Sequence, residues 1–213
     1  YPYRLALRPN TGVPTGRDLD RNGQLGEPRD AQGWGRFAGE GGIAVLSRLP
    51  IGPDVRDFSG FLWADLPGNL MPEDDPARDL QRLYTTGAYE VPIVLPGGNS
   101  LRLLVFYASP PVFDGPEDRN GRRNHDEAAF WLHTLDARLS AQSFLAGQHF
   151  GLADAAVAPF VRQFAHTDPA WFAAQPWRAL AAWLTHFESS DLFKAIMQKH
   201  APWQDSASCQ AEV

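Results

Sequence analysis

Asp18-Leu19-Asp20-Arg21-Asn22-Gly23 places side-chain oxygens at alternate positions and ends on a glycine. Oxygens spaced this way converge on a hard cation when glycine allows the sharp turn that follows. Asp18, Asp20 and Asn22 are therefore candidate ligands for a structural Ca²⁺. The twelfth position of a calcium loop, normally a bidentate carboxylate, is Arg29 here, and Glu27 and Asp30 lie near it but out of register. The alternative is an Asx turn, in which the same carboxylates accept bonds from their own backbone.

A second polar cluster lies between residues 113 and 127: Asp114, Glu117, Asp118, Asn120 and Asn124. These oxygens suit a metal or a cleft wall. They equally suit a rigid loop that caps its own backbone, with Asn124 or His125 ahead of a helix whose first turn holds Asp126 and Glu127. All six histidines, His125, His133, His149, His166, His186 and His200, follow residue 124. The first 124 residues thus contain no imidazole, the usual base near neutral pH. The one cysteine, Cys209, sits in a polar tail, reads as inert, and leaves the redox compartment open.

The elements that must carry these residues change character near residue 131. Seventeen of the 19 Gly and 14 of the 18 Pro precede Trp131, whereas both Lys follow it. The 213 residues suit one large domain or two small ones. Net charge is −6, which argues against a protein that coats nucleic acid but not against one that holds phosphates through a metal. No apolar run of about 18 residues is present to span a membrane. The first residue is Tyr, which suggests a processed product or fragment, and no signal peptide is visible.

Turn chemistry dominates residues 1–42, a long ordered loop region. Ile43–Ser47 reads as a buried strand and Phe58–Trp63 as a weaker one. Residues 67–82 read as loop, with Glu73, Asp74 and Asp75 as a solvated acidic face. Tyr89–Leu95 and Leu101–Tyr107 flank Pro96-Gly97-Gly98-Asn99-Ser100 and predict a hairpin. Pro92 places its first strand at an edge or bulge, so the second should be central. Beyond the polar loop the period becomes helical. Ala128, Trp131, Leu132, Leu135 and Leu139 predict one amphipathic helix. Three more are expected at about 152–166, kinked at Pro159 and burying Ala156, Phe160, Val161 and Phe164; at 176–187; and at 189–199, burying Phe193, Ile196 and Met197.

Pro110-Pro111-Val112-Phe113-Asp114-Gly115-Pro116-Glu117-Asp118-Arg119-Asn120-Gly121-Arg122-Arg123-Asn124-His125-Asp126-Glu127 resembles a block of a bacterial branch of the endonuclease/exonuclease/phosphatase family. Asn10-Thr11-Gly12, Asp18-Leu19-Asp20, the stretch from Gly39 to Arg48, and Tyr89-Glu90-Val91-Pro92 resemble the same branch in order. The resemblance implies two packed sheets flanked by helices, and hydrolysis of phosphate esters or nucleic acid with Mg²⁺ or a similar cation. It implies catalytic roles around Tyr107, Asp118, Asn120 and His125. Tyr107 stands where the family carries a histidine ahead of Ser109-Pro110-Pro111. The family's early metal ligands and its later Asp-His pair have no counterpart here, which implies a truncated, weak or inactive relative.

Leu135-Asp136-Ala137-Arg138-Leu139, Phe144-Leu145-Ala146-Gly147 and the run from Phe150 to Phe160 resemble the distal part of a glutathione S-transferase C-terminal domain. Arg162–His166 and Met197–Trp203 also fit. The resemblance implies a capping box at Gly151 and Asp154, no glutathione site without the family's thioredoxin-like domain, and a homodimer through the helices. The sequence thus predicts an α+β chain. Residues 1–131 form a partial two-sheet α/β sandwich, 132–203 a small all-α segment, and 204–213 a disordered tail. A natural fusion, a fragment and a chimera without selected function all fit the seam at 126–139.

Overall fold

The computed structural model describes residues 1–113 and 115–199. Asp114, His200, the Ala201–Trp203 stretch and the tail with Cys209 lie outside the described residues. The protein is of mixed α+β construction and divides into two compact units, Tyr1–Trp131 and a second beginning at Leu132.

In the first unit β1 (Tyr3–Ala6) pairs antiparallel with β2 (Ala44–Ser47). A three-stranded antiparallel sheet has the order β3 (Arg56–Asp57), β4 (Ala88–Val94), β5 (Ser100–Phe106). Strand β4 turns Tyr89, Val91 and Ile93 to one face, as its period of two requires. Leu5 and Val45 from the small sheet and Leu103 and Val105 from β5 pack against them. Burying each of those three side chains contributes roughly 2 kcal/mol. Also buried on β4, Glu90 has Arg56 of β3 at 3.4 Å and Arg102 of β5 at 3.6 Å.

Several expectations need correction. Residues 1–42 are not loop throughout, because Tyr3–Ala6 forms β1. Strand β2 is not buried; Leu46 is more than half exposed, since β2 has only β1 beside it. Phe58–Trp63 forms no continuous strand; Arg56–Asp57 pairs with β4, Leu62 makes an isolated antiparallel bridge to Arg82, and a 3₁₀ turn covers Trp63–Asp65. The hairpin forms, with Gly97 and Gly98 at positive φ in its turn, but its strands exchange places. Strand β4 is central and β5 lies at the edge of the sheet. Pro92 is tolerated in the centre because its backbone faces away from β5. Its carbonyl accepts from Gly52 N at 2.8 Å, so the missing N–H points at the Pro50–Gly52 segment and costs the β4–β5 ladder nothing.

Helix α1 (Arg119–Ala141) begins well before the expected position and contributes to both units. Asp126 and Glu127 are therefore not in a first turn, and neither Asn124 nor His125 is a cap. The second unit adds α2 (Leu152–Thr167), α3 (Pro169–Ala174), α4 (Arg178–Ser189) and α5 (Asp191–Ile196). Leu132, Leu135 and Leu139 of α1 and Leu180, Trp183, Leu184 and Phe187 of α4 are buried, as helical spacing demands. Helix α2 runs through Pro159 but buries Ala158, Val161 and Ala165, not Ala156 or Phe160; Phe160 is 75% exposed. Buried Asp154 sets this register. Its Oδ1 accepts from Leu145 N at 2.9 Å and Trp183 Nε1 at 2.8 Å, and its Oδ2 from Gly151 N at 3.0 Å. Helix α5 buries nothing fully: Phe193 is half-buried, and Ile196 and Met197 are exposed.

Candidate functional site

The polar run at the start of α1 works as a rod that ties loops to one helix face. Arg119 Nη2 lies 2.7 Å from buried Asp75. Asp75 thus leaves the solvated face expected of residues 73–75, whereas Asp74 remains exposed beside Arg21. One turn later Arg123, itself buried, donates to Leu83 O at 2.7 Å, to Gln32 O at 2.9 Å and to Arg82 O. The guanidinium groups of Arg119 and Arg123 each lie 5.7 Å from the Trp63 ring. Asn120 Nδ2 donates to Val112 O at 2.8 Å, and Asn124 Nδ2 to Ser109 O at 2.7 Å. Asp126 Oδ2 accepts from Trp63 Nε1 and from Leu70 N, both at 2.6 Å.

Glu127 completes the set and is fully buried. It accepts from Ser109 N, from Ser109 Oγ at 3.0 Å and from Thr85 N at 3.4 Å. Burial pushes its carboxyl up to about 7, against the pull of Arg123 and of these donors. Burial likewise lowers the Arg123 guanidinium to about 10, with Glu127 opposing. Tyr84, whose hydroxyl donates to Glu127 O at 2.9 Å, is held well above the ordinary tyrosine value by burial and then by the Glu127 charge.

These ties shape a cavity of about 710 Å³ in the first unit. Thr11, Thr85, Thr86 and Ser109 give it hydroxyls, Arg29, Arg119 and Arg123 cationic groups, and Trp34, Tyr107 and Phe113 an aromatic rim. Thr11 Oγ1 lies 3.3 Å from Thr85 O and from Thr86 Oγ1. Gly33 is required in the wall: a Cβ there would sit 2.1 Å from Thr85 O. Asp20 and Glu117 also line the cavity, so its wall carries both signs of charge.

Of the expected catalytic residues, Tyr107 and Asn120 line the cavity and Tyr107 is half exposed. Asp118 and His125 are not among its lining residues. Asp118, at φ 51°, ends the loop ahead of α1, and its carbonyl accepts from Arg122 N at 3.0 Å. His125 Nδ1 lies 2.9 Å from Asp126 Oδ1. The residues the sequence reading missed are Arg119, Arg123 and Glu127. Their helical spacing, four residues apart on one face, was the available signal.

In the 18–30 loop the metal-capable cluster is Asp18, Asp20 and Asp30, with carboxylate oxygens within 4.8 Å of one another. Asn22 lies beside it: its Oδ1 accepts from Gln24 N at 2.8 Å, and its Nδ2 donates to Asp20 Oδ2 at 3.2 Å and to Glu27 Oε2. Asx-turn bonds are also present. Asp18 accepts from Asn22 N at 3.1 Å and Gly23 N at 2.8 Å, and buried Asp30 accepts from Leu19 N at 2.9 Å. A carboxylate has about four lone-pair sites, so these bonds leave capacity for a cation. The donor set suits a hard divalent ion.

No helix among the described residues is long and apolar enough to cross a membrane. Neither a curated protein nor a solved structure matches the chain. The family model for the glutathione S-transferase, C-terminal domain matches residues 132–186, from the second half of α1 through most of α4, and gives the helical segment its likeness.

Proposed function

We propose that the chain acts through its second unit as a helical interaction module of the glutathione-transferase C-terminal type, without a glutathione site, and that its partner is a second copy. The family match over residues 132–186 carries this reading. The surface of the unit supports it. A groove of about 400 Å³ is lined by Pro159, Phe187, Phe193, Ile196 and Met197, with Arg162 at its side. Ile196 is 61% exposed and Met197 50%, and exposed apolar surface of this kind marks association sites. Sedimentation of the full chain over a hundredfold concentration range tests the reading. A dimer that weakens in Ile196→Asp is expected. Calorimetry with glutathione should show no binding, and measurable binding would remove the second clause.

A second reading concerns the first unit: a metal-dependent phosphoesterase relative, weak or inactive, using Mg²⁺ or a similar cation on phosphate esters or nucleic acid. Two features favour it. Tyr107 and Asn120 share a cavity with Arg29 and Arg119, and two small sheets meet at Tyr89, Val91 and Ile93, as in part of a two-sheet sandwich. Hydrolysis of a bis-aryl phosphodiester with and without Mg²⁺ or Mn²⁺ tests it. Metal-dependent turnover lost in Asn120→Ala and Asp118→Ala is the supporting result. Turnover that persists without either metal, or that is unchanged in both variants, contradicts it.

A further inference from the structure

We propose that Glu127 is a positioning residue that holds the wall of the first-unit cavity in shape as a carboxylate, and that protonation releases this wall. Two lining residues far apart in sequence, Thr85 and Ser109, meet at this one side chain. Ser109 gives it both its backbone N–H and its hydroxyl, and the same hydroxyl oxygen lies 3.2 Å from Thr85 Oγ1. On the other side of Ser109, the Asn124 amide holds its carbonyl. The 107–110 segment is thus tied to α1 at both backbone polar groups of a single residue.

The tie depends on charge. An ionised carboxylate only accepts, and all three bonds given to Glu127 are donated to it. A proton on Oε2 displaces the Ser109 N–H, which can only donate, and a proton on Oε1 displaces the Thr85 N–H or turns the Ser109 hydroxyl round to accept. The titration falls near neutrality because burial raises the carboxyl to about 7. The ionisable groups that bear on it are Arg123, one turn earlier on α1, and Tyr84 from the segment before β4; Arg119 and Asp75 act on Arg123 in turn. Arg123 and the three donors favour the carboxylate, and Tyr84 is neutral throughout the accessible range. Protonation of Glu127 is therefore the event that changes the wall.

Backbone amide NMR of the full chain between pH 5 and 9 tests this. The Ser109 and Thr85 amide protons should move with one transition near pH 7. The amides of Thr86 and Tyr107, which line the same wall, should follow with the same midpoint. In Glu127→Gln the transition should vanish. Ser109→Ala, which removes one donor to the carboxylate, should keep the transition and raise its midpoint by about half a pH unit. This variant decides the matter if Glu127→Gln does not fold. A flat Ser109 amide in the wild type, a transition that persists in Glu127→Gln, or an unmoved midpoint in Ser109→Ala would overturn the proposal. So would a response confined to Ser109 and Thr85, since the wall would then not be released.

Discussion

Both units have an apolar core, and they differ in what supplements it. In the first, polar side chains, all but Arg119 buried, reach from one helix to separate loops: Arg119 to Asp75, Arg123 to Gln32 and Leu83, Asp126 to Trp63 and Leu70, Glu127 to Thr85 and Ser109. In the second, apolar stripes on α1 and α4 form the core, with Asp154 as the one buried carboxylate among the described residues. The difference shows that a dense polar motif need not be a chemical centre. Long loops bury backbone groups that regular structure does not satisfy, and charged side chains from a rigid helix satisfy them.

The comparison can be broken most severely at Arg123. Arg123→Met takes the Arg123 donor from the carbonyls of Arg82 and Leu83, leaves that of Gln32 with Gln81 Nε2 alone, and removes the cation that acts on Glu127. A loss of about 3–5 kcal/mol is expected in urea unfolding. A loss below 1 kcal/mol would mean that the loops are held by something else. The matching change in the second unit is Leu180→Ala, which empties a fully buried site on α4 and should cost about 3 kcal/mol. If the units are built as described, the cost of Arg123→Met should depend on pH and that of Leu180→Ala should not.

Glu127 sharpens the contrast further. Its carboxyl binds a proton more tightly in the folded protein than in the unfolded chain, because its value is raised from 4.5 to about 7. The stability it contributes is fully present below about pH 4.5 and is lost as pH rises through 7, by roughly 3 kcal/mol at about 1.4 kcal/mol per unit. Urea midpoints between pH 4.5 and 8 should fall in the wild type and flatten in Glu127→Gln. The local tie to Ser109 loosens on protonation even as global stability rises, because a neutral carboxyl is less costly to bury. The smallest expected effect is at the 18–30 loop. Millimolar Ca²⁺ should raise the melting temperature by a few degrees, as a weak site filled well above its Kd would, and Asp30→Asn should abolish the rise.

How much was legible in the sequence varied with the range of the interactions. The β4–β5 hairpin was legible because its turn residues and its strands are neighbours. Which of the two strands was central was not, because that depends on the side Pro92 turns to the Pro50–Gly52 segment. The apolar faces of α1 and α4 followed from spacing alone. The face of α2 did not, since Asp154, a carboxylate, proved to be its inward anchor. Tyr107 and Asn120 could be picked out as cavity residues from their motif. Arg123 drew no reading of its own and Glu127 only one as a first-turn acid, because their partners lie about 20 to 90 residues away.

Sedimentation equilibrium of the full chain, wild type beside Ile196→Asp, tests the functional reading most directly. A reversible dimer in the wild type that is lost in the variant is the expected result. A wild-type chain that stays monomeric at every concentration would contradict it.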